Sequence, residues 1–533
     1  MSNFTSTLSL NKGSKSIISN EILEFHTPSL PVPLFSNPNE VFGTLAITIA
    51  KTMKTKKPLY IQCTVDVSDS MSEKGNNTYT RLDYVKRTLI KMFTFLVETV
   101  DTEVRVHIDT FSTNFTTVMQ TVLLTKENLE DLSDKINEMK SNGLTNIELA
   151  LNKSNAIMKS NLALHPASKS VHLFLTDGDV TAGASHTNTL LELVNPNFTN
   201  IFIGYGAQHN ATLLSKCANK SQHNKYLFVD NFEQTGVVYG EIMHSLLYSS
   251  VENASVIGNQ GTLMYNAIKN TWEQSLQIPA LFSEKEHIYH IKSIDPDNAT
   301  VTLHGIICNK IDDSVTVTGE SEMLTLIQTL PHLINENNEI LPVNLSKYVF
   351  RQKTMELLYS ASHIQPYGHD IDNLKNEMKS FFKEMKIYMT DNELCGDTFM
   401  KILCEDIYIS YSTLGTREGY MLSESRNVSQ HNQDMYRSGS ASRRVMKRSV
   451  PPVKQQYIDD DDDDDDDDNN KCVFQRTCTV GPYDYEEEYE DESTQKEDES
   501  IDPNDIDNYH YEYISENVYS TPAMMQVVRA VSD

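Results

Sequence analysis

Hydrophobic and polar positions change period four times along the chain. Leu59 to Val65 is a short apolar, β-branched run that reads as a buried strand. From Arg81 to Val100 the apolar residues Leu82, Val85, Leu89, Met92, Phe93, Leu96 and Val100 fall on one helical stripe. Val104 to Phe111 alternates as a strand, and the stretches 128–139 and 147–158 are amphipathic helices. Three further strands are predicted at Val171–Thr176, Asn200–Tyr205 and Tyr226–Val229, with a closing helix over 232–249. Strands alternating with helices predict an α/β domain over residues 58–250. Its expected core is a doubly wound, mostly parallel, Rossmann-like sheet.

Between 251 and 345 the period falls to two. Ser255–Ile257, Ile288–Ile294, Ala299–Ile307 and Asp313–Thr318 read as short strands of a small antiparallel β domain. Residues 1–57 form an N-terminal segment with one strand, Val41–Ala50. That strand is either an edge of the 58–250 domain or the missing piece of the later β domain, and the second option makes 58–250 an insertion. A helical region follows over 346–435, with stripes in Lys347–Ala361, Ile371–Met389 and Cys395–Tyr411. Residues 436–518 lack a hydrophobic core, and 436–533 read as a disordered acidic tail.

Charge sharpens this division. The net charge is −29, yet residues 451–533 hold 26 acidic and 5 basic residues, including ten consecutive aspartates at Asp459–Asp468. The rest of the chain carries an ordinary charge, and a basic face for nucleic acid is not expected. Seven cysteines form no C-x-x-C pair, which fits a reducing compartment. No secretory leader or membrane-length apolar run is visible. The expected location is intracellular and cytoplasmic, with virion association as the alternative.

The chemistry follows the first strand. In an open parallel sheet, ligands sit beyond the carboxyl ends of the strands. Asp66, Ser68 and Ser70 fall there, and alternate residues of an extended turn point the same way. One carboxylate and two hydroxyls are hard donors that suit Mg²⁺ or Mn²⁺ better than zinc. Two later stretches belong with them: Ser141-Asn142-Gly143-Leu144-Thr145-Asn146, opening a helix, and Val171–Thr176 followed by Asp177-Gly178-Asp179. D-x-S-x-S, then G-x-T, then strand-T-D-G-D together resemble the von Willebrand factor A family. The resemblance implies a metal-ion-dependent adhesion site made of Asp66, Ser68, Ser70, Thr145 and Asp177. It implies Mg²⁺ (or Mn²⁺) as cofactor and a protein partner whose Asp or Glu completes the coordination. Thr145 with Glu148 also reads as a capping box. Asp69 and Asp179 are given no ligand role by the family pattern, and Asp179 is left as either a supporting carboxylate or a turn residue.

More loosely, Gly419–His431 and Tyr519–Met525 resemble the region after the A domain in intracellular relatives of plants, protists and large DNA viruses. Some plant relatives are RING-type ubiquitin ligases, but this chain has no RING-like Cys/His array. Cys395/Cys404, Cys472/Cys478, His363 and His369 make no credible metal or catalytic centre. Asp66–Ser72 contains no glycine, so a pyrophosphate would be poorly served. No nucleophile–base pair appears, and no base for a metal-activated water. The expectation is a non-enzymatic, cation-dependent protein-binding or scaffold protein. The rival readings are an adaptor in ubiquitin-type modification and a particle-associated structural protein of a large DNA virus. No nucleic acid or membrane partner is expected.

Overall fold

The computed structural model describes residues 18–50, 57–74, 79–206, 209–221, 224–230, 235–307, 320–327, 343–364, 370–438, 504–509 and 518–532. The aspartate run 459–468, the strand expected at 313–318, His369, Cys308, Cys472 and Cys478 lie outside them.

Two strands come first, β1 (Ile18–Phe25) and β2 (Val41–Ile49). The α/β domain then opens with β3 (Leu59–Asp66), buried at every position. It continues through α1 (Arg81–Thr99), β4 (Val104–Phe111), β5 (Phe115–Leu123), α2 (Leu129–Asn137), α3 (Ile147–Leu164) and β6 (Lys169–Thr176). It ends with α4 (Thr187–Glu192), β7 (Thr199–Tyr205), α5 (Ala211–Ala218), β8 (Lys225–Val229) and α6 (Thr235–Leu247). Strand order in the six-stranded sheet is β5-β4-β3-β6-β7-β8. Only β5 is antiparallel to its neighbour. The chain leaves β3 toward β4 on one side and later returns to β6 on the other. The point of reversal therefore lies between β3 and β6, where an open sheet forms its crevice. Helices cover both faces, so β3 is buried throughout, including Gln62, which donates to Asp109 (2.8 Å); each buried Ile or Val there contributes roughly 1.5–3 kcal/mol.

Strand β5 escapes the sequence pattern because it is an edge strand, largely exposed or half-buried, with Met119 its only fully covered residue. Such a strand needs little apolar alternation to form.

The chain passes from α6 into a two-sheet β structure with strands β9 (Ser249–Gly258), β10 (Thr262–Asn266), β11 (Thr271–Glu273), β12 (Ser275–Gln277) and β13 (Leu281–Phe282). It continues with β14 (Glu286–Ser293), β15 (Thr300–Ile307) and β16 (Glu320–Ile327). One sheet runs β1-β2-β14-β10-β11 and the other β12-β9-β15-β16, with β13 also on β9. Strand β2 pairs with β14 from Val41↔Ser293 to Thr48↔Glu286. The α/β domain is thus inserted between β2 and β9. Leu45, Ile47 and Ile291 from one sheet pack with Val256, Val301 and Leu303 from the other.

Four helices follow: α7 (Ser346–His363), α8 (Asp370–Asp391), α9 (Thr398–Thr413) and α10 (Arg417–Asn432). Apolar residues of α7, α8 and α9 share a core with Phe42 and Ile506. Helix α10 was not evident as a helix because its buried face is polar: Ser423, Arg426, Asn427 and Gln430 are all covered.

The expectation of disorder over 436–533 fails in three places. Tyr436 and Ile506 are buried, and α11 (Pro522–Ser532) packs on α1 and α6. Val527 and Val531 join the α/β core. The physical reason is local: this stretch carries its own apolar stripe, and α6 offers Gly236 and Gly240 where the helices touch. A Cβ at Gly240 would stand 2.6 Å from the Val528 Cα. No described helix is long and apolar enough to cross a membrane.

Candidate metal centre

Strand β3 delivers Asp66 to the crevice, and β6, its hydrogen-bonded neighbour, delivers Thr176 and then Asp177. Past Asp66 the chain folds back at once. The Ser68 amide donates to Asp66 Oδ1 (2.8 Å), and a single 3₁₀ turn over Asp69–Ser72 carries Ser70. Ser68 Oγ and Ser70 Oγ lie 3.1 Å apart, and Ser70 Oγ donates to Asp177 Oδ1 (2.7 Å). Thr176 Oγ1 donates to Asp66 Oδ2 (2.5 Å).

The middle loop is tied to both others. Asp69 accepts from the Gly143 amide through Oδ1 (3.0 Å) and donates its own amide to the Gly143 carbonyl (2.9 Å). Gly143 has φ +93°, a left-handed conformation that a side chain would strain. The Thr145 amide donates to Thr181 Oγ1 (2.8 Å), while its carbonyl accepts from Thr181 and Ala182. Gly178 completes the cradle, since a Cβ there would stand 3.2 Å from Thr145 Oγ1 and 3.6 Å from Ser70 Oγ. All five residues singled out by sequence, Asp66, Ser68, Ser70, Thr145 and Asp177, therefore converge at one sheet end.

The capping expectation is corrected. Asn146, not Thr145, caps α3, accepting from the Leu149 amide (3.0 Å). Glu148 instead accepts from the Ala184 amide (2.7 Å). A cap one residue later leaves the Thr145 hydroxyl without a capping role. Asp69 serves as a tie between loops. Asp179 Oδ2 pairs with Arg417 Nη2 (2.6 Å) at the start of α10. His363 stacks on Tyr359, and Cys404 is buried in the helical core. Among the described residues no group of three or more His, Cys, Asp or Glu is arranged to hold a metal.

Burial governs the electrostatics. Asp66 is fully covered, and loss of hydration raises its carboxyl to about 7 against the pull of Ser68 and Thr176. Burial also raises Asp177, opposed by hydrogen bonds from Arg81 and Ser70. These two carboxylates amid neutral hydroxyls make a set of hard oxygen donors. The residues fit a small divalent cation.

Sequence reasoning missed Arg81. Its Nη1 donates to Asp177 Oδ2 (2.6 Å) and its Nη2 to Glu73 Oε2 (2.6 Å). One signal was present: Arg81 is the first residue of α1, where the helix dipole disfavours a cation.

Residues 63–179 match the family model of the von Willebrand factor type A domain. Among solved structures, the chain is similar to the ArnB paralog VWA2 from Sulfolobus acidocaldarius, at 14% identity over 78% of this chain and 98% of that one, TM-score 0.45. It is also similar to a von Willebrand factor type A protein from Catenulispora acidiphila, at 13% identity over 73% and 91%, TM-score 0.46. A third is proximal thread matrix protein 1 from the mussel byssus, whose adhesion-site motif is zinc-occupied in that structure. There the identity is 18% over 39% of this chain and 50% of that one, TM-score 0.29. No curated protein matches the chain.

Proposed function

Residues 63–179 form a von Willebrand factor type A domain, and from that premise we propose that the protein is a non-enzymatic binding or scaffold protein whose site takes a partner's carboxylate through a divalent cation. The observation that carries this is the convergence of two buried carboxylates and three hydroxyl residues on three loops tied to one another at the sheet's point of reversal. Ser68, Ser70 and Thr145 would offer neutral oxygens, and Asp66 and Asp177 the charge. A bound Mg²⁺ or Mn²⁺ would supply the positive centre and an open position for an Asp or Glu of the partner.

The protein's own residues do the positioning. The Ser68 amide and Thr176 hydroxyl orient Asp66 through both its oxygens, so its carboxylate cannot rotate away. Ser70 fixes Oδ1 of Asp177 toward the hydroxyl cluster. Asp69 and Gly143 hold the first and second loops in register, and Thr181 holds the second to the third. Leu144, 50% exposed beside Thr145, offers an apolar contact at the rim. Preorganised oxygens spare a cation most of the cost of ordering its ligands.

The test is calorimetric titration of Mn²⁺ into chelator-treated protein, with co-purification of partners in Mg²⁺ and in chelator read by mass spectrometry. Wild type binds one cation, and Asp177→Ala neither binds it nor retains the cation-dependent partners. Equal cation affinity in wild type and an Asp66→Ala/Asp177→Ala double variant refutes the reading.

A further inference from the structure

The geometry points to Arg81 as a resident counter-cation of this site, which a divalent ion must displace from Asp177 and which Glu73 then retains. The inference rests on the cation reading above and goes beyond it by naming the residue that sets how readily the site loads.

Three observations meet here. First, both oxygens of Asp177 are engaged, Oδ1 by Ser70 and Oδ2 by Arg81. The guanidinium thus occupies the charge position beside a carboxylate assigned to the cation. Second, the side chain of Arg81 is 11% exposed, and its Nε is buried with no hydrogen-bond partner among the described residues. A guanidinium placed only to pin α1 would be expected to satisfy its donors. Third, the same guanidinium already holds Glu73, whose side chain is 58% exposed. Arg81 can leave Asp177 without becoming an unpaired charge.

The charge balance explains why such a group is present. Asp66 and Asp177 are both fully covered, so neither is solvated. A pair of buried carboxylates without a counter-charge is unfavourable, and one guanidinium offsets half of it. A divalent ion offsets all of it but meets a positive charge on the way in. Arg81 also stands at the first position of α1, against the helix dipole. A residue that breaks a local rule so near a site is explained by the carboxylate it faces.

The test uses the full chain, stripped with chelator and titrated with Mn²⁺ by calorimetry; circular dichroism checks the fold. Arg81→Gln should tighten Mn²⁺ binding by roughly tenfold or more, since it removes a like charge next to the ion. Equal or weaker binding by Arg81→Gln, with wild type binding normally, overturns the inference and leaves the cation site standing. Absence of binding in both proteins overturns the cation reading and the inference together. Binding by Arg81→Gln alone supports the inference in its strongest form. If Arg81→Gln does not fold, Glu73→Gln on the exposed side decides. Deprived of its second carboxylate, Arg81 holds Asp177 more firmly and Mn²⁺ binding weakens severalfold; unchanged or tighter binding overturns the proposal. A crystal structure with Mn²⁺ in the site and the Arg81–Asp177 contact intact also overturns it.

Discussion

Replacing Asp66 by Asn isolates the cost of a buried charge at the site. Burial raises the Asp66 carboxyl from 3.8 to about 7. The folded state therefore binds this proton more tightly than the unfolded chain, so ionised Asp66 lowers stability. The penalty is fully present above pH 7, shrinks as pH falls through the folded value, and is gone near the unfolded value. Linkage gives about 4 kcal/mol at pH 8 and about 2 kcal/mol at pH 5 from these two values. Asn keeps the carbonyl that accepts from the Ser68 amide, and the Thr176 hydroxyl can turn to accept from the new amide. Chelator-treated Asp66→Asn should thus be more stable than wild type at pH 8, by an amount that roughly halves at pH 5. Other buried groups titrate in this window, among them His172 and His209, which burial lowers to about 4, and Glu241, which burial raises to about 7. They cancel in the difference between the two proteins. Urea unfolding at a series of pH values measures it. An equal difference at pH 5 and pH 8, or a less stable Asn variant at pH 8, refutes the reasoning. Saturating Mn²⁺ should stabilise wild type and leave the variant nearly unchanged.

Other perturbations reach the framework. Arg426 is fully buried and bonds Glu405 (2.8 Å) and Asp406 (2.6 Å); Arg426→Met should cost about 3–5 kcal/mol in urea unfolding by removing the positive charge that bridges those two buried carboxylates, and a loss below about 1 kcal/mol would contradict this. Gly240→Ala gains about 1 kcal/mol of helix propensity, but its Cβ would strike the Val528 backbone. The clash should win, detaching α11 and opening 518–532 to limited proteolysis; an unchanged digest with higher stability would mean α11 shifts at no cost. Deleting residues 1–50 removes β1 and β2 and bares β14 along its paired edge. The product should aggregate in size-exclusion chromatography, and a monomeric, cooperatively unfolding product would show that β2 is dispensable.

The candidate site residues were legible as a cluster because each sits at a point where local rules are strong. A buried apolar run reads as a strand, which placed Asp66 and Asp177 at strand ends; it was the resemblance to the von Willebrand factor A family that joined them to Thr145 in one site. Alternation in Ser68 and Ser70 added the hydroxyls. The period-two pattern after residue 250 marked β14 and β15, yet left the partner of Val41–Ile49 open. Only the pairing of β2 with β14 decided it, because edges are chosen by which face finds a core, and that is a long-range event. Helix α10 was invisible for a similar reason. Its buried side is made of Arg426, Asn427 and Gln430, which burial tolerates only because Glu405, Asp406 and the Ala267 carbonyl wait opposite them. Helix α11 lay in a tail judged by its average charge, and a short apolar stripe is worth nothing until Gly236 and Gly240 let it approach. Arg81 shows the limit most clearly. Sequence gives it a helix start and a charge; the fold alone sets it 2.6 Å from a carboxylate 96 positions away, because β3 and β6 end side by side.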